Sequence, residues 1–374
     1  MRSTRPRTAT TAERHGGVSA RGSGTDGGAG TREVGERPGS NDDVTVLLSL
    51  NAPDGTTRFV DQIVSERPDQ MRVVYFSWKN ALTADYEVFH VHWPEWLVRH
   101  SNPCIRAVKY LLMVLFLARL TIRKTPVVRT LHNRVPHRLG SRTESVLIAS
   151  LDRRVARYIA LNPFTDGYED ATLIRHGHYR DRFSTYEKCQ RQRNHLLFFG
   201  RIEPYKNVQD LIDQFEYAEA EKATLRIVGQ LEESAFADRA KSLRNAALAL
   251  NSVSTRFEFV PDSDLVTEVT NAHLVVLPYR EMYNSGSLMV ALSLGTPVLA
   301  PRTEVNEWIQ QEVGPRWLML YDELTSEVID DALRDSEPSG IGEVPNLANR
   351  DWKAIALQHY DVYRQCRDRS HRAA

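Results

Sequence analysis

Residues 200–207, with the sequence GRIEPYKN, combine a glycine turn with two cations. Gly200 follows an apolar run, and Arg201 and Lys206 come after it, just before a helical pattern. The exposed N–H groups at a helix start and the nearby cations both favour negative charge. This strand–loop–helix context predicts a diphosphate site, and the alternative is a surface ion-pair cluster with Glu203.

A second polar turn lies further along the chain, at the start of another predicted helix. A turn of this kind presents backbone N–H groups and hydroxyls to an anion, although a simple helix N-cap has the same composition. Together with Arg201 and Lys206 it is predicted to form a second wall of one phosphate pocket. Gly229 ends a further predicted strand and is expected at the same edge. The residues of the turn are Asn284, Ser285, Gly286 and Ser287.

Histidines and a glutamate follow predicted strands in the first half of the chain. His92, His132 and Glu95 are the candidate catalytic residues, because imidazole or carboxylate can act as a general base towards a hydroxyl group. His132 could instead donate a hydrogen bond to a hydroxyl group of a ligand, and Glu95 suits a helix start equally well. His90 is predicted to be a hydrogen-bonded core residue. No cysteine or carboxylate completes a zinc pattern here, so no metal site is predicted.

Short apolar runs that alternate with helical patterns must position these residues. The runs are rich in β-branched and aromatic residues, which is typical of parallel strands buried on both faces. The alternation predicts the α/β class, with two Rossmann-like doubly wound domains facing a cleft. The carboxyl ends of the strands, where the candidates fall, form the ligand site of such sheets. The runs are 44–50, 71–78, 86–93, 126–133, 157–162, 172–179, 195–200, 224–229, 256–261, 272–279 and 296–301.

The 374 residues exceed one comfortable core, which favours two domains. Residues 1–42 are rich in Arg, Gly, Ser and Thr and have no apolar stretch, so we expect a disordered tail rather than a signal peptide. Residues 43–188 are the first predicted Rossmann-like domain and 189–350 the second. A polar hinge is expected at 186–194, and 351–374 should form a closing helix and tail.

The motifs GRIEPYKN and NSGSLMVALSLGTPVLAP together resemble the donor domain of GT-B glycosyltransferases, especially the GT4 type. The segment 351–365 resembles the closing helix of that family, which crosses back to the N-terminal domain. The resemblance implies that residues 43–188 bind the acceptor and residues 189–350 bind the nucleotide sugar. It also implies that Arg201 and Lys206 bind the donor diphosphate, that the later turn contacts phosphates, sugar and ribose, and that His132 faces the donor sugar.

The implied activity is hexosyl transfer in polysaccharide biosynthesis, from a nucleotide-diphosphate sugar to a glycan or a lipid-linked acceptor. GDP-mannose is the donor that the resemblance suggests. Because cations would neutralise the leaving group, the reaction need not use a metal, and no cofactor is expected beyond the co-substrate. A GT-B nucleotide-sugar epimerase and a non-catalytic nucleotide-sugar-binding protein are the alternatives.

One pair of residues departs from the family pattern. The family carries two glutamates, eight positions apart, around the second turn. Here the second falls on Val290 and the first near Met282, with Glu281 one position away. Either Glu281 substitutes for the first glutamate, or Asn284 and Ser287 supply the ribose and sugar contacts.

The composition restricts the partners and the compartment. Lys plus Arg equals Asp plus Glu, at 48 each, so no overall positive field argues for nucleic acid. The three cysteines include no CxxC pair, which fits a reducing, cytoplasmic location. The apolar stretch within 104–124 is too short to span a bilayer. It is either a core helix or a basic amphipathic helix peripheral to the inner face of the cell membrane.

Overall fold

The computed structural model describes residues 42–53, 58–132, 140–231, 237–336 and 343–372. The predicted disordered tail lies outside the described residues, apart from Asp42.

The described residues of the first half form a parallel sheet of six strands in the order β2-β1-β3-β4-β5-β6. Almost every residue of its central strands is buried, as expected for strands covered by helices on both faces. The strands are β1 Val44–Leu48, β2 Met71–Tyr75, β3 Val88–Val91, β4 Val127–Leu131, β5 Val155–Ala160 and β6 Thr172–Leu173. The helices are α1 Arg58–Ser65, α2 Trp78–Thr83, α3 Pro94–Val98, α4 Pro103–Ile122 and α5 Arg142–Asp152.

The described residues of the second half form another six-stranded parallel sheet, in the order β12-β11-β10-β7-β8-β9. Its strands are β7 His195–Phe199, β8 Thr224–Val228, β9 Val253–Arg256, β10 Leu274–Val276, β11 Val298–Pro301 and β12 Leu318–Tyr321. Its helices are α6 Val208–Phe215, α7 Ala237–Ala249, α8 Asp262–Asn271, α9 Gly286–Leu294, α10 Glu304–Val313 and α11 Ser326–Asp335. The long helix α12 Trp352–Arg372 ends the described chain.

The predicted α/β class with two doubly wound sheets is confirmed. Three strand predictions differ from the structure, and all three concern strands at a sheet edge. A strand was predicted at 256–261, but β9 ends at Arg256; β12 was not predicted; and β6 has two residues where 172–179 was expected. An edge strand has a neighbour on one side only, and β9, with the sequence VSTR, has the weak apolar pattern that such a position allows. β12, with the sequence LMLY, is apolar, so its pattern does not explain why it was not predicted.

The chain passes between the two halves twice, at neighbouring places. On the way out, Ile174 belongs to a core cluster of the first half, whereas Tyr179 belongs to the core of the second. On the way back, Leu347 packs in the second core and Trp352 in the first. The two crossings are bonded to each other, since the Trp352 indole N–H donates to the His178 carbonyl oxygen at 2.5 Å.

The predicted hinge at 186–194 comes after the first crossing. Its backbone N–H groups at Cys189 and Gln192 donate to Thr270 and Asn271 at the end of α8. This segment therefore belongs to the second half in the structure, and α12 packs against the first.

Candidate functional site

Two glycines bring the ends of β7 and β8 into close contact. Gly229 has φ +146°, and a Cβ atom there would lie 1.9 Å from the Gly200 carbonyl oxygen. Gly200 itself has φ +118°. Both positions therefore require glycine, because a side chain would collide or strain the backbone. The result is an open backbone surface at the carboxyl edge of the second sheet.

Lys206 and Ser287 converge on this surface. A Cβ atom at Gly200 would lie 3.0 Å from Ser287 Oγ and 3.5 Å from Lys206 Nζ. Lys206 and Ser287, which the sequence predicted from two separate motifs, thus meet at Gly200, and Ser287 lies at the start of α9.

The Lys206 ammonium is buried beside aromatic rings. The residue is 8% exposed, and Nζ lies 5.3 Å from the centroid of the Tyr279 ring and 5.9 Å from that of Tyr205. Among the described residues no carboxylate pairs with this ammonium. A buried cation that lies beside ring faces and has no carboxylate partner is costly unless an anion completes the site. The arrangement therefore suits a phosphate group.

The turn before α9 supplies backbone donors. Ser285 is the N-cap, and its Oγ accepts a hydrogen bond from the Leu288 N–H at 3.2 Å. A Cβ atom at Gly286 would meet nothing within 4 Å, so the first turn is open on this side. The Ser285 hydroxyl is thus hydrogen-bonded within the protein, whereas the N-terminus of α9 faces open space. Arg201 is exposed at the other side of the Gly200 turn.

The two positions where the family carries glutamates pack into the core instead. Met282 and Val290 are 6% and 5% exposed, and Met282 Sδ accepts a hydrogen bond from the Asn306 amide at 3.4 Å. Glu281 lies on the exposed surface. Its role as a substitute ribose ligand stays a prediction.

Asn284 connects this turn to the first half of the molecule. Its Nδ2 donates to the His132 carbonyl oxygen at 3.0 Å, and its Oδ1 accepts from Asn162 Nδ2 at 3.2 Å. The neighbouring Tyr283 hydroxyl is hydrogen-bonded to Thr165 Oγ1. The side chain predicted to contact the sugar or ribose therefore spans the two halves and lies directly against the predicted acceptor side.

His92 and His132 form a hydrogen-bonded pair at the ends of β3 and β4. Nδ1 of His92 lies 3.0 Å from Nε2 of His132. Burial, followed by the nearby His176 and Arg129, lowers the pKa of His132 to about 3. Burial, followed by the neighbouring His90 and His132, holds the pKa of His92 well below its usual range. Both rings are therefore neutral near pH 7, with one donating to the other.

His90 is a core residue, as predicted. Its Nδ1 lies 2.6 Å from the Tyr363 hydroxyl and its Nε2 lies 2.8 Å from Thr130 Oγ1, so both ring nitrogens have partners.

A stack of aromatic rings leads outward from His132. The Trp93 ring lies on the His132 ring with centroids 4.1 Å apart, and Trp96 lies on Trp93 at 4.6 Å. Trp96 is 57% exposed, and Glu95, which directly precedes it in the first turn of α3, is half-buried. Sequence reasoning singled out Glu95 but missed both tryptophans, although their spacing of three residues on a helix places them on one face.

Among the described residues, one group has the ligand atoms to hold a metal ion. It comprises His178, Asp181 and Asp351, whose ligand atoms lie within 4.8 Å of one another at the chain crossing. The reaction's independence of metal and of cofactors stays a prediction.

Helix α4 presents an apolar face to the outside. Its exposed apolar residues recur at intervals of three, four or seven, which places them on one face. None of the described helices is both long and apolar enough to cross a membrane. The large residues of this face are Ile105, Val108, Leu111, Leu115 and Ile122.

The chain is similar to known glycosyltransferases. The sequence profile of the family "Glycosyl transferases group 1" matches residues 193–334. A protein of Xanthomonas campestris pv. campestris named GDP-mannose:glycolipid 4-beta-D-mannosyltransferase is 38% identical over 330 residues, which covers 86% of this chain and 92% of that protein.

Solved structures share the fold. The Anabaena protein HepE in complex with UDP-glucose is 16% identical with a TM-score of 0.55, and the match covers 88% of this chain and 100% of that one. Sucrose-phosphate synthase from Thermosynechococcus elongatus is 13% identical with a TM-score of 0.53, covering 86% and 98%. Neither the epimerase nor the non-catalytic alternative gains support. The chain belongs to the group 1 glycosyltransferases and has the GT-B fold that its two motifs resemble.

Proposed function

We propose that this chain transfers mannose from GDP-mannose to a hydroxyl group of a glycolipid at a membrane surface. The observation that carries the proposal is the 38% identity to a protein named for that reaction, over 92% of its length. The donor turn and the histidine pair supply the local chemistry.

On the donor side, the diphosphate would lie over Gly200, within reach of Lys206 and the N-terminus of α9. Negative charge grows on this group as the bond to the anomeric carbon breaks. A fixed ammonium and aligned N–H groups then stabilise the leaving group without reorganising. Arg201, at the exposed side of the turn, would close over the diphosphate from outside.

On the acceptor side, a carboxylate is the better base. GDP-mannose is an α-glycoside, so formation of a β-mannoside inverts the anomeric carbon and needs a base that takes the proton of the attacking hydroxyl. An imidazole with a pKa of about 3 is a weak base. We therefore assign this proton to Glu95, and we assign to the neutral His132, supported by His92, a hydrogen bond to the sugar.

The tryptophan stack suits a sugar ring of the acceptor. Flat aromatic faces with polar groups nearby are typical of small-molecule sites. Trp93 is covered by His132 on one face and by Trp96 on the other, so a pyranose ring would lie against the outer face of Trp96, one residue from Glu95 along α3.

Helix α4 supplies the proposed membrane contact. Its exposed apolar face runs along a helix of about 30 Å, and exposed Arg106 and Arg123 border it. A helix with an apolar face and flanking cations binds an anionic lipid surface in the interface plane. Trp96 lies beside this helix, because Lys109 Nζ donates to the Trp96 carbonyl oxygen at 3.0 Å. A lipid-linked acceptor would thus reach the tryptophan stack directly from the surface.

The test is the product itself. Purified protein is incubated with GDP-mannose and with glycolipid extracted from cells that contain this protein. The product is analysed by mass spectrometry and by the one-bond carbon–proton coupling of the new anomeric centre. We expect one added hexose with a β anomeric centre, and little product from UDP-glucose. Transfer from UDP-glucose alone, or release of free mannose without a glycolipid product, would contradict the proposal.

A further inference from the structure

A cavity of about 580 Å³ lies at the end of α4 that is remote from Trp96. It is open to the surface and is bordered by the C-terminal end of α4, the turn from α5 to β5, and the C-terminal end of α12. None of its lining residues is acidic, and four are basic. The basic residues are Lys124, Arg153, Arg154 and Arg369.

The cavity is separate from the transfer site. It adjoins Pro126 and Ala156, at the beginnings of β4 and β5. His132 follows the other end of β4. Since parallel strands start at one edge of a sheet and end at the other, the cavity and the cleft lie at opposite edges.

Neutral atoms hold the arginines in place. Arg154 Nε donates to Thr121 Oγ1 at 3.0 Å, and Arg153 donates to Ser150 Oγ at 2.9 Å. Such partners orient a guanidinium without cancelling its charge. Several guanidinium groups and one ammonium around a cavity with no acid in its lining are suited to phosphate oxygens.

Lys124 occupies a backbone position that normally favours glycine. It has φ +50° directly after α4, where Thr125 N–H donates to the Leu120 carbonyl oxygen at 3.0 Å and Lys124 N–H to that of Thr121 at 3.2 Å. These two bonds form the helix-ending motif in which glycine is the usual residue. Lysine is present at this position although the backbone conformation favours glycine, and Lys124 lines the cavity.

The cavity adjoins the exposed apolar face of α4. Ile122, the last residue of that face, is 81% exposed and lines a neighbouring cavity of about 420 Å³. The two cavities share Lys124 and Thr125. A lipid surface in contact with Ile122 would therefore bring its headgroups to the four basic residues.

We propose that this cavity binds the phosphate of an anionic lipid headgroup. The bound headgroup anchors the C-terminal end of α4, whereas Trp96 lies beside the N-terminal part of this helix. The helix then lies along the membrane and holds the Trp93 and Trp96 rings at a fixed distance from the membrane surface. The proposal rests on the membrane contact proposed above and adds a specific anion site to it.

The test measures vesicle binding of the full chain by flotation, with phosphatidylcholine vesicles and with vesicles that also contain phosphatidylglycerol. The variants are Arg153→Ala/Arg369→Ala and Lys124→Gly. The control Arg72→Ala/Lys353→Ala removes the same charge from exposed positions outside the cavity. Each cation near an anionic surface contributes about fivefold in affinity, so the double variant should lose about 25-fold and the control much less.

Lys124→Gly separates a ligand role from a structural one. Glycine relieves the backbone, so the melting temperature should stay equal or rise, while binding to the anionic vesicles falls about fivefold. Inorganic phosphate presents the same oxygens but makes no contact with the apolar face of α4, so it should bind too weakly to displace the vesicles.

Equal losses of vesicle binding in the cavity variant and in the control variant would overturn the proposal, because the net charge of the protein would then explain the binding. Stabilisation by inorganic phosphate that competes with vesicles would overturn it in favour of a free-anion site. Absence of any preference for anionic vesicles would overturn it as well. Mannosyl transfer to detergent-solubilised glycolipid should be normal in every variant, so failure here is distinguishable from failure of the proposed reaction.

Discussion

Asn284 Nδ2 donates a hydrogen bond to the carbonyl oxygen of His132 at 3.0 Å, and this bond joins the donor turn to the acceptor side. The same amide accepts from Asn162 at 3.2 Å. One side chain therefore fixes the position of the α9 N-terminus relative to the end of β4, and the alignment of donor and acceptor depends on it.

Replacing Asn284 by Ala should impair transfer more than donor binding. Two hydrogen bonds across the halves are lost, each worth about 1 kcal/mol, so kcat should fall on the order of tenfold or more. The affinity for GDP, measured by calorimetry, should change less than threefold, since the lysine and the α9 N–H groups are retained. A loss of GDP affinity as large as the loss of kcat would show that Asn284 binds the donor.

The pH dependence of the transfer rate should show no ionisation of His132 near neutral pH. Because burial lowers its pKa to about 3, the ring is neutral throughout the range in which the protein is assayed, and the rate should not fall between pH 8 and pH 6 on its account. The measurement is the pH profile of kcat for the wild type and for His132→Gln. An inflection near pH 6.5 that disappears in the variant would contradict the assignment of the base to Glu95.

His359 should make the fold sensitive to acid. Burial lowers the pKa of this ring to about 4 from 6.5, so between these values the unfolded chain binds a proton that the folded chain does not. The contribution of the neutral ring to the free energy of unfolding is present above pH 6.5 and is lost as the pH falls towards 4. The loss is about 2 kcal/mol at pH 5.

The variant His359→Leu should therefore lose less unfolding free energy than the wild type between pH 7 and pH 5, by about 2 kcal/mol in urea titrations. The leucine keeps the volume of the buried ring and removes the proton. Parallel pH dependence of the two proteins would contradict the assignment.

Trp96→Ala should weaken acceptor use without affecting the donor. Loss of the exposed ring removes the outer part of the stack on Trp93, so KM for the glycolipid should rise while hydrolysis of GDP-mannose in the absence of acceptor is unchanged. Tyr217→Ala is the matched control, because Tyr217 is an aromatic residue of the second half that is 70% exposed. An equal effect of both variants would mean that the stack has no special role.

The fold could be predicted because its central strands are buried on both faces. β7 and β10 consist of fully or almost fully buried residues, and such runs stand out in a sequence. The edge strand β9, with the sequence VSTR, could not be placed, because a strand that borders solvent tolerates polar residues. The edge strand β12 was missed although its sequence, LMLY, is apolar.

The candidate site was only partly predictable. Lys206 and Ser287 meet at Gly200 because each follows directly from a strand-to-helix turn, a local pattern that a sequence displays. The bond from Asn284 to His132 and the stacking of Trp93 on His132 depend on how distant segments pack. No local pattern encodes such contacts, so these roles emerged only from the structure.

The most direct test of the donor site is calorimetric titration of GDP into the wild type and into Lys206→Met, with Lys241→Met as the matched control on an exposed position. Lys206 is buried beside ring faces, so methionine should leave the melting temperature without nucleotide unchanged or higher. Loss of a charge-assisted contact of about 1.5–3 kcal/mol should weaken GDP binding about 10- to 100-fold. A variant that binds GDP as tightly as the wild type would contradict the account of the donor site.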